Sequence, residues 1–133
     1  MVRALVLLLG SRCTHPTAAA RAQIAAAALY GARGLGVELD PYAASRARAA
    51  LAHWRPEVAD RVHILESDAT TADFSDASVL FCSMLPDGVA ALEGVLKAAL
   101  SRGARVVCLH FPLPGVSCSD ADSEHRLFLY HDK

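Results

Sequence analysis

The chain has 133 residues, 53% of them apolar and 20% charged, with a formal net charge of −1. That length suits one soluble globular domain, expected over residues 1–133, and the near-balance of charge excludes a basic nucleic-acid stripe or an acidic tail as the organising feature. No apolar run approaches the roughly 20 residues that a membrane-spanning helix needs.

Ala4 to Leu9 is a continuous apolar run of strand length, stopped by Gly10 and Ser11, and reads as the first strand of a parallel sheet. The following RCTHPT segment, Arg12 to Thr17, lacks the further glycines of a phosphate-cradling loop. A helix is predicted from about Ala18 to Tyr30, with Ile24, Ala27, Ala28 and Leu29 inward and Gly31 as its stop. The stretch before Glu38 contains Arg3, Arg12, Arg21 and Arg33 but no acid, which is the composition of a mitochondrial transit peptide. A first strand and helix that happen to lack acids accounts better for the hydrophobic pattern. A signal peptide over Met1 to Gly10 is opposed by Arg12, where small residues should mark the cleavage point.

The second strand is expected over Gly34 to Leu39. Its helix is capped by Asp40 and started by Pro41, with Tyr42, Ala47, Ala50, Leu51 and Trp54 on one face and Pro56 marking the end. A third strand covers Arg61 to Leu65 and a linker Thr70 to Ala77; a fourth strand, Ser78 to Cys82, opens into Ser83, Met84, Leu85 and Pro86. One helix is predicted over about Asp87 to Leu100, with Leu92, Val95, Leu96 and Ala99 inward and Gly103 as its stop. A fifth strand spans Ala104 to His110. Val116 to Glu124 is polar and reads as loop, and Arg126 to Tyr130 as one last strand. Alternation of strands and helices at this spacing predicts an α/β fold, a doubly wound, mostly parallel sheet with right-handed crossovers.

Chemistry-bearing residues gather at predicted strand ends. Glu38 and Asp40 close the second strand, and Glu66, Ser67 and Asp68 close the third. In open α/β sheets the crevice beyond the carboxyl ends of the strands binds nucleotide-like ligands, and an acid there can accept both hydroxyls of a ribose. The plainer alternative is that Asp40 only caps its helix while Glu38 is solvated. Cys13, Cys82, Cys108 and Cys118 show no Cys-x-x-Cys spacing, and two of them sit in apolar runs, which suits a reducing, intracellular setting, cytoplasmic or mitochondrial. The i, i+2 pairs Cys13 with His15 and Cys108 with His110 are too sparse for a metal site, and none is expected.

The segments GLGVELDP, ADRVHILESDA, DFSDASVLFCSMLP and GARVVCLHFPLPG together resemble the seven-stranded class I methyltransferases that use S-adenosylmethionine, with a Rossmann-like sheet. Within them the chain is most similar to the small protein-lysine N-methyltransferases that modify the ATP synthase c subunit and the ADP/ATP carrier, and to their prokaryotic relatives. The likeness covers about Ala20 to Leu113 and returns weakly at Arg126 to Asp132, with the family's C-terminal hairpin expected to be truncated. It implies that Glu38, beside Leu39, holds the cofactor ribose, that Asp68 and the backbone of Ala69 sit at the adenine edge, and that Ser83 contacts the cofactor beside its transferable methyl group. Gly10 and Ser11 would belong to the cofactor loop. Met84, Leu85 and Pro86 would form a substrate slot beside the transferable methyl group. The family's loop runs from an acid into Gly-x-Gly-x-Gly, and here only Leu9, Gly10 and Ser11 match it.

The activity implied is methyl transfer from S-adenosyl-L-methionine to a lysine side chain of a protein substrate, with no nucleic-acid partner. Two other readings stay open: a catalytically inactive fold of the same family kept as an interaction module, and an NAD-binding oxidoreductase. The second uses the same strand-acid geometry but needs a glycine fingerprint, which Ser11 to Ala18 does not supply.

Overall fold

A computed structural model describes the backbone of residues 5–9 and 18–132 and the side chains of residues 24–132. The elements run β1 (Leu5–Leu9), α1 (Ala18–Tyr30), β2 (Gly34–Glu38), α2 (Pro41–Leu51), α3 (Pro56–Ala59), β3 (Val62–Glu66), β4 (Val79–Ser83), α4 (Pro86–Ala91), α5 (Glu93–Ser101), β5 (Arg105–Leu109), β6 (Asp120–Asp122) and β7 (Leu127–Tyr130). The strands form one seven-stranded sheet in the order β3-β2-β1-β4-β5-β7-β6. β1 to β5 are parallel, and β7 runs antiparallel to both β5 and β6. The predicted doubly wound α/β sheet is therefore the observed one, and its order reverses between β1 and β4.

Local chemistry sets the element ends. Gly31 takes a φ of 66° after α1, and the Ala32 amide reaches back to the Ala26 carbonyl at 3.3 Å, a left-handed cap that only glycine adopts without cost. The Arg61 guanidinium donates to the Gly31 carbonyl and pins that corner beside the start of β3. The Asp40 carboxylate accepts from the Tyr42 amide at 3.0 Å, with Pro41 at the first helical position of α2. At the exposed edge of the sheet, Arg48 donates to the Ile64 carbonyl of β3 at 3.0 Å, which occupies part of an otherwise open ladder.

Burial divides between the two faces, because successive side chains on a strand point to opposite sides. Leu80 and Cys82 of β4 join Val106, Cys108, Leu92, Leu96, Leu113 and Tyr130 in the larger cluster, while Phe81 between them packs with Ile24, Ala27, Ala47, Val58 and Val62. α1, α2 and α3 thus cover one face, and α4 and α5 the other. The thiols of Cys82 and Cys108 are buried side by side on adjacent strands, which fits their reading as small core hydrophobes.

The structure corrects the sequence reading in several places. The stretch Val116 to Glu124 is not all loop: Asp120–Asp122 forms β6, whose hairpin with β7 completes the seventh strand, so the expected truncation of the C-terminal hairpin is absent. β6 is exposed at every position and pairs only through its backbone, so it carries no apolar alternation to betray it. The helix predicted over Asp87 to Leu100 is two helices, α4 and α5, broken at Leu92, whose φ of −95° and ψ of 4° leave the helical region while its side chain stays buried. In α2 the buried face is Ala44 and Ala47, whereas Tyr42 and Trp54 stand 68% and 44% exposed; small residues let the helix lie close to the sheet. Pro56 starts α3 rather than ending α2, as its fixed φ suits a first helical turn. In α1, Leu29 and Ala28 are exposed, leaving Ile24 and Ala27 as the inward residues. No helix among the described residues is long and apolar enough to cross a membrane.

The last strand is tied to the loop after β5 by one buried contact, in which the Leu113 amide donates to the Tyr130 hydroxyl oxygen at 2.8 Å. Tyr130→Phe keeps the ring and orphans that amide, so urea denaturation should report a loss of about 1–3 kcal/mol; an unchanged midpoint would show that water replaces the phenol.

Candidate functional site

The parallel strands deliver their carboxyl ends to one edge of the sheet, and the order reverses between β1 and β4, the point at which open α/β sheets bind their ligands in a crevice. Along that edge stand Glu66 at the end of β3, Glu38 at the end of β2, Leu9 at the end of β1 and Ser83 at the end of β4. Glu38 is in register with Glu66, and Leu9 with Ser83. With strands about 4.8 Å apart, β3 to β4 spans roughly 14 Å, the length of an extended nucleoside with a short tail.

Glu38 is the one buried charged side chain among the described residues, 4% exposed. Its backbone carbonyl accepts from the Ser67 amide at 3.0 Å and so fixes the exit of β3 against the exit of β2. Its carboxylate accepts from the Asp40 amide through Oε1 at 3.1 Å. A carboxylate has acceptor capacity beyond that one bond, so Glu38 can take a further donor. Burial pushes the Glu38 carboxyl above the usual carboxylate range; the Asp40 amide and, more weakly, the Leu39 amide pull the other way, and the charge of Asp40 adds a smaller upward push. Both plain alternatives from the sequence are thereby decided: Asp40 does cap its helix, and Glu38 is not solvated.

A buried carboxylate held mainly through one oxygen is costly unless a further donor arrives. Two vicinal hydroxyls supply two donors at the spacing of a carboxylate, so Glu38 fits the ribose of an adenosine-bearing cofactor. Next to it Leu39 is 60% exposed, an apolar surface left in the open beside the crevice.

Asp68, two residues beyond β3, is exposed. Its Oδ1 accepts from the Thr70 hydroxyl at 2.7 Å and the Thr70 amide at 2.9 Å, and these bonds hold its carboxyl below the usual range. Its carbonyl accepts from the Thr71 and Ala72 amides, both at 3.1 Å, so the turn is rigid and Ala69 packs half-buried against the core. An anchored, ionised acceptor at this point suits the amino edge of a base.

Beyond β4, Ser83 and Met84 are half-buried while Leu85 and Pro86 are exposed. A side chain at Gly88 would put its Cβ 2.7 Å from Met84 Cε and 3.1 Å from Met84 Cβ, so glycine is what lets Met84 lie over the first turn of α4. The expected slot is therefore an apolar lip: Met84 is anchored in the core, and Leu85 and Pro86 form the rim. Gly10 and Ser11 lie outside the described residues, as do Cys13 and His15.

The sequence reading placed His110 and Arg126 at strand ends without giving either a role. Both adopt left-handed backbone, with φ of 69° and 55°, and the His110 amide donates to the Arg126 carbonyl at 2.8 Å. Histidine is enriched in that conformation, a weak signal, and arginine carries none. Among the described residues no cluster of three or more His, Cys, Asp or Glu side chains could hold a metal ion.

Residues 18–120 match the model of the ANTKMT methyltransferase domain. No curated protein sequence matches the chain. Among solved structures, an RNA methyltransferase from Salinibacter ruber in complex with S-adenosyl-L-homocysteine is 30% identical, with a TM-score of 0.78 over 95% of this chain and 78% of its own. The glycopeptide N-methyltransferase MtfA complexed with S-adenosyl-L-homocysteine is 16% identical, with a TM-score of 0.61 over 100% of this chain and 57% of its own. A point mutant of MtNAS in complex with S-adenosylmethionine is 15% identical, with a TM-score of 0.66 over 96% of this chain and 52% of its own. At such identities the last two share the fold.

The raised Glu38 carboxyl makes stability depend on pH in a defined direction. The folded state holds that proton more tightly than the unfolded chain does, so stability falls as pH rises from the unfolded carboxylate range through the folded value. Glu38→Gln removes this loss: without cofactor, its melting temperature relative to the native chain should rise between pH 4 and pH 7.5. A difference that stays constant over this range would mean that the carboxylate is not destabilised by burial.

Proposed function

The chain belongs to the ANTKMT methyltransferase domain family, and on that premise we propose that it transfers a methyl group from S-adenosylmethionine to the side-chain nitrogen of a lysine in a protein substrate. The observation that carries this reading is Glu38, a buried carboxylate half satisfied by its own chain at the end of β2. The bound cofactor supplies a methyl group already activated by a positively charged sulfur.

Each end of the crevice has its task. Glu38 accepts the ribose hydroxyls, Leu39 lies against the base, and Asp68 with the Ala69 backbone meets the amino edge of the adenine. Ser83 lies toward the methionine end. The lip of Met84, Leu85 and Pro86 excludes water from the methyl group and makes the charged form of an incoming lysine unfavourable, so that its neutral, nucleophilic form is presented in line with the methyl carbon.

The rim chemistry favours a protein over a nucleic acid as acceptor. Asp40, Glu66 and Asp68 stand on loops or strand ends at this edge, and Asp87 in the first turn of α4. Carboxylates repel phosphates and attract an ammonium, so the RNA named for the Salinibacter ruber neighbour suits this rim less well than a lysine. An NAD-dependent reaction is disfavoured by the sequence from Ser11 to Ala18, which lacks the glycine fingerprint that a pyrophosphate needs.

Glu38→Ala should weaken S-adenosylmethionine binding by about 1.5–3 kcal/mol, roughly ten- to a hundredfold, in a calorimetric titration. Unchanged affinity would remove Glu38 from the site. In a thermal-shift measurement, S-adenosylmethionine and S-adenosylhomocysteine at a hundred times their dissociation constants should each stabilise the fold by about 2.7 kcal/mol, and NAD should not. Stabilisation by none of the three would leave an inactive interaction module as the better account.

A further inference from the structure

Beside the apolar lip stands a histidine that the reading above does not use. Cys82 of β4 and Cys108 of β5 are in register, so Ser83 and Leu109, then Met84 and His110, leave the sheet side by side, about 4.8 Å apart in strand spacing. On the other side of β5, Leu109 pairs with Leu127, and the His110 amide holds the Arg126 carbonyl at 2.8 Å. Both His110 and Arg126 keep left-handed backbone at non-glycine positions, a conformation that persists where surrounding structure imposes it and that gathers at functional sites.

Among the described residues, two histidines at this end of the sheet, His110 and His125, differ in how they are held. The His125 Nδ1 is engaged with Asp122 Oδ2 at 2.9 Å within the β6–β7 turn. The His110 side chain is exposed and makes no hydrogen bond to any described residue. We infer that His110 takes the proton that the substrate lysine must lose before its nitrogen can attack, an inference that rests on the lysine reading above.

The step balances without any further reactant. The ammonium gives one proton to the His110 imidazole. The freed lone pair of the amine forms the new carbon–nitrogen bond while the carbon–sulfur bond breaks, its electron pair remaining on sulfur. The imidazolium then returns its proton to solvent. The charged and titratable groups on the elements around His110 are Arg126 on the far side of its amide contact; Asp120, Asp122, Glu124, His125 and Tyr130 in the β6–β7 hairpin; Arg105 and Cys108 on β5; Cys82 on β4; and Asp87 at the start of α4. The loop from Phe111 to Pro114 contributes none. Asp122 is already engaged by His125, whose hydrogen bond holds that carboxyl below its usual range.

The test uses the full chain, tritiated S-adenosylmethionine and a lysine-rich peptide as acceptor, across pH 6.5 to 10. Asparagine tolerates left-handed backbone, so His110→Asn removes the imidazole and keeps the turn. Its kcat should fall about a hundredfold near pH 7 and approach that of the native chain near pH 10, where lysine amines lose their proton unaided. Its KM for S-adenosylmethionine should not move, added imidazole should restore part of the neutral-pH rate to His110→Gly, and His125→Asn should follow the native profile. In the presence of S-adenosylhomocysteine, the peptide should shift the His110 imidazole resonances in an NMR titration.

A His110→Asn profile superimposable on the native one would overturn the proposal, as would an equal loss at every pH accompanied by a lower melting temperature, the mark of a structural role. Either result leaves the lysine reading standing. A native chain that binds S-adenosylmethionine but methylates no lysine would overturn both.

Discussion

The site depends on one carboxylate kept out of water. Glu38 closes a strand that is buried at nearly every position, and the hydrogen bond that meets its charge from within the described chain comes from an amide two residues along, that of Asp40. Folding therefore leaves an unfavourable group at the edge where β1 and β4 part, and a ligand with paired hydroxyls turns that cost into affinity. Asp40 serves two ends at once, because its amide holds Glu38 while its carboxylate caps α2. The position of the Glu38 carboxylate and that of the helix are in this way fixed by the same residue.

Around that group the sheet acts as a ruler. Register pairs Glu38 with Glu66 and Leu9 with Ser83, so the points that would meet base, sugar and methionine are spaced by the strand separation rather than by flexible loops. The loops add rigidity where it is needed. Asp68 is locked by Thr70, Thr71 and Ala72, and Met84 lies over Gly88 with no room for a side chain. The acceptor side differs: Leu85, Pro86 and His110 are exposed, and Asp87 follows Pro86 in the first turn of α4. A rigid, half-buried cofactor edge beside an open, acidic, partly apolar rim is the arrangement expected where a large cationic partner must come and go.

The hydrophobic runs ALVLLL, SVLFC and ARVVCLH were long and unbroken enough to be placed as central strands within one residue of their observed ends. Glu38, Asp68 and the Ser83 to Pro86 exit were legible for the same reason: an acid or a proline directly after such a run can only stand at the sheet edge. Amphipathic helices were harder. In α2 the large residues Tyr42 and Trp54 suggested the inward face, yet alanines fill it, because close helix–sheet packing selects for small volume as well as for apolarity.

What the sequence determined by itself was the alternation of strands and helices, the parallel sheet and the acids at strand ends, which follow from local patterns of period two or 3.6 and from turn residues; the family likeness rested on the resemblance of its motifs. What only the tertiary structure decided was whether those acids are buried, which strands are neighbours, the short polar strand β6, the break at Leu92 and the left-handed pair His110 and Arg126. The strand order and the burial of Glu38 depend on contacts between residues far apart in the chain, and its carboxyl is raised because the packed sheet and helices remove water from around it. β6 is local, but it exists because the next strand, β7, offers it a ladder of backbone bonds that no side-chain pattern records.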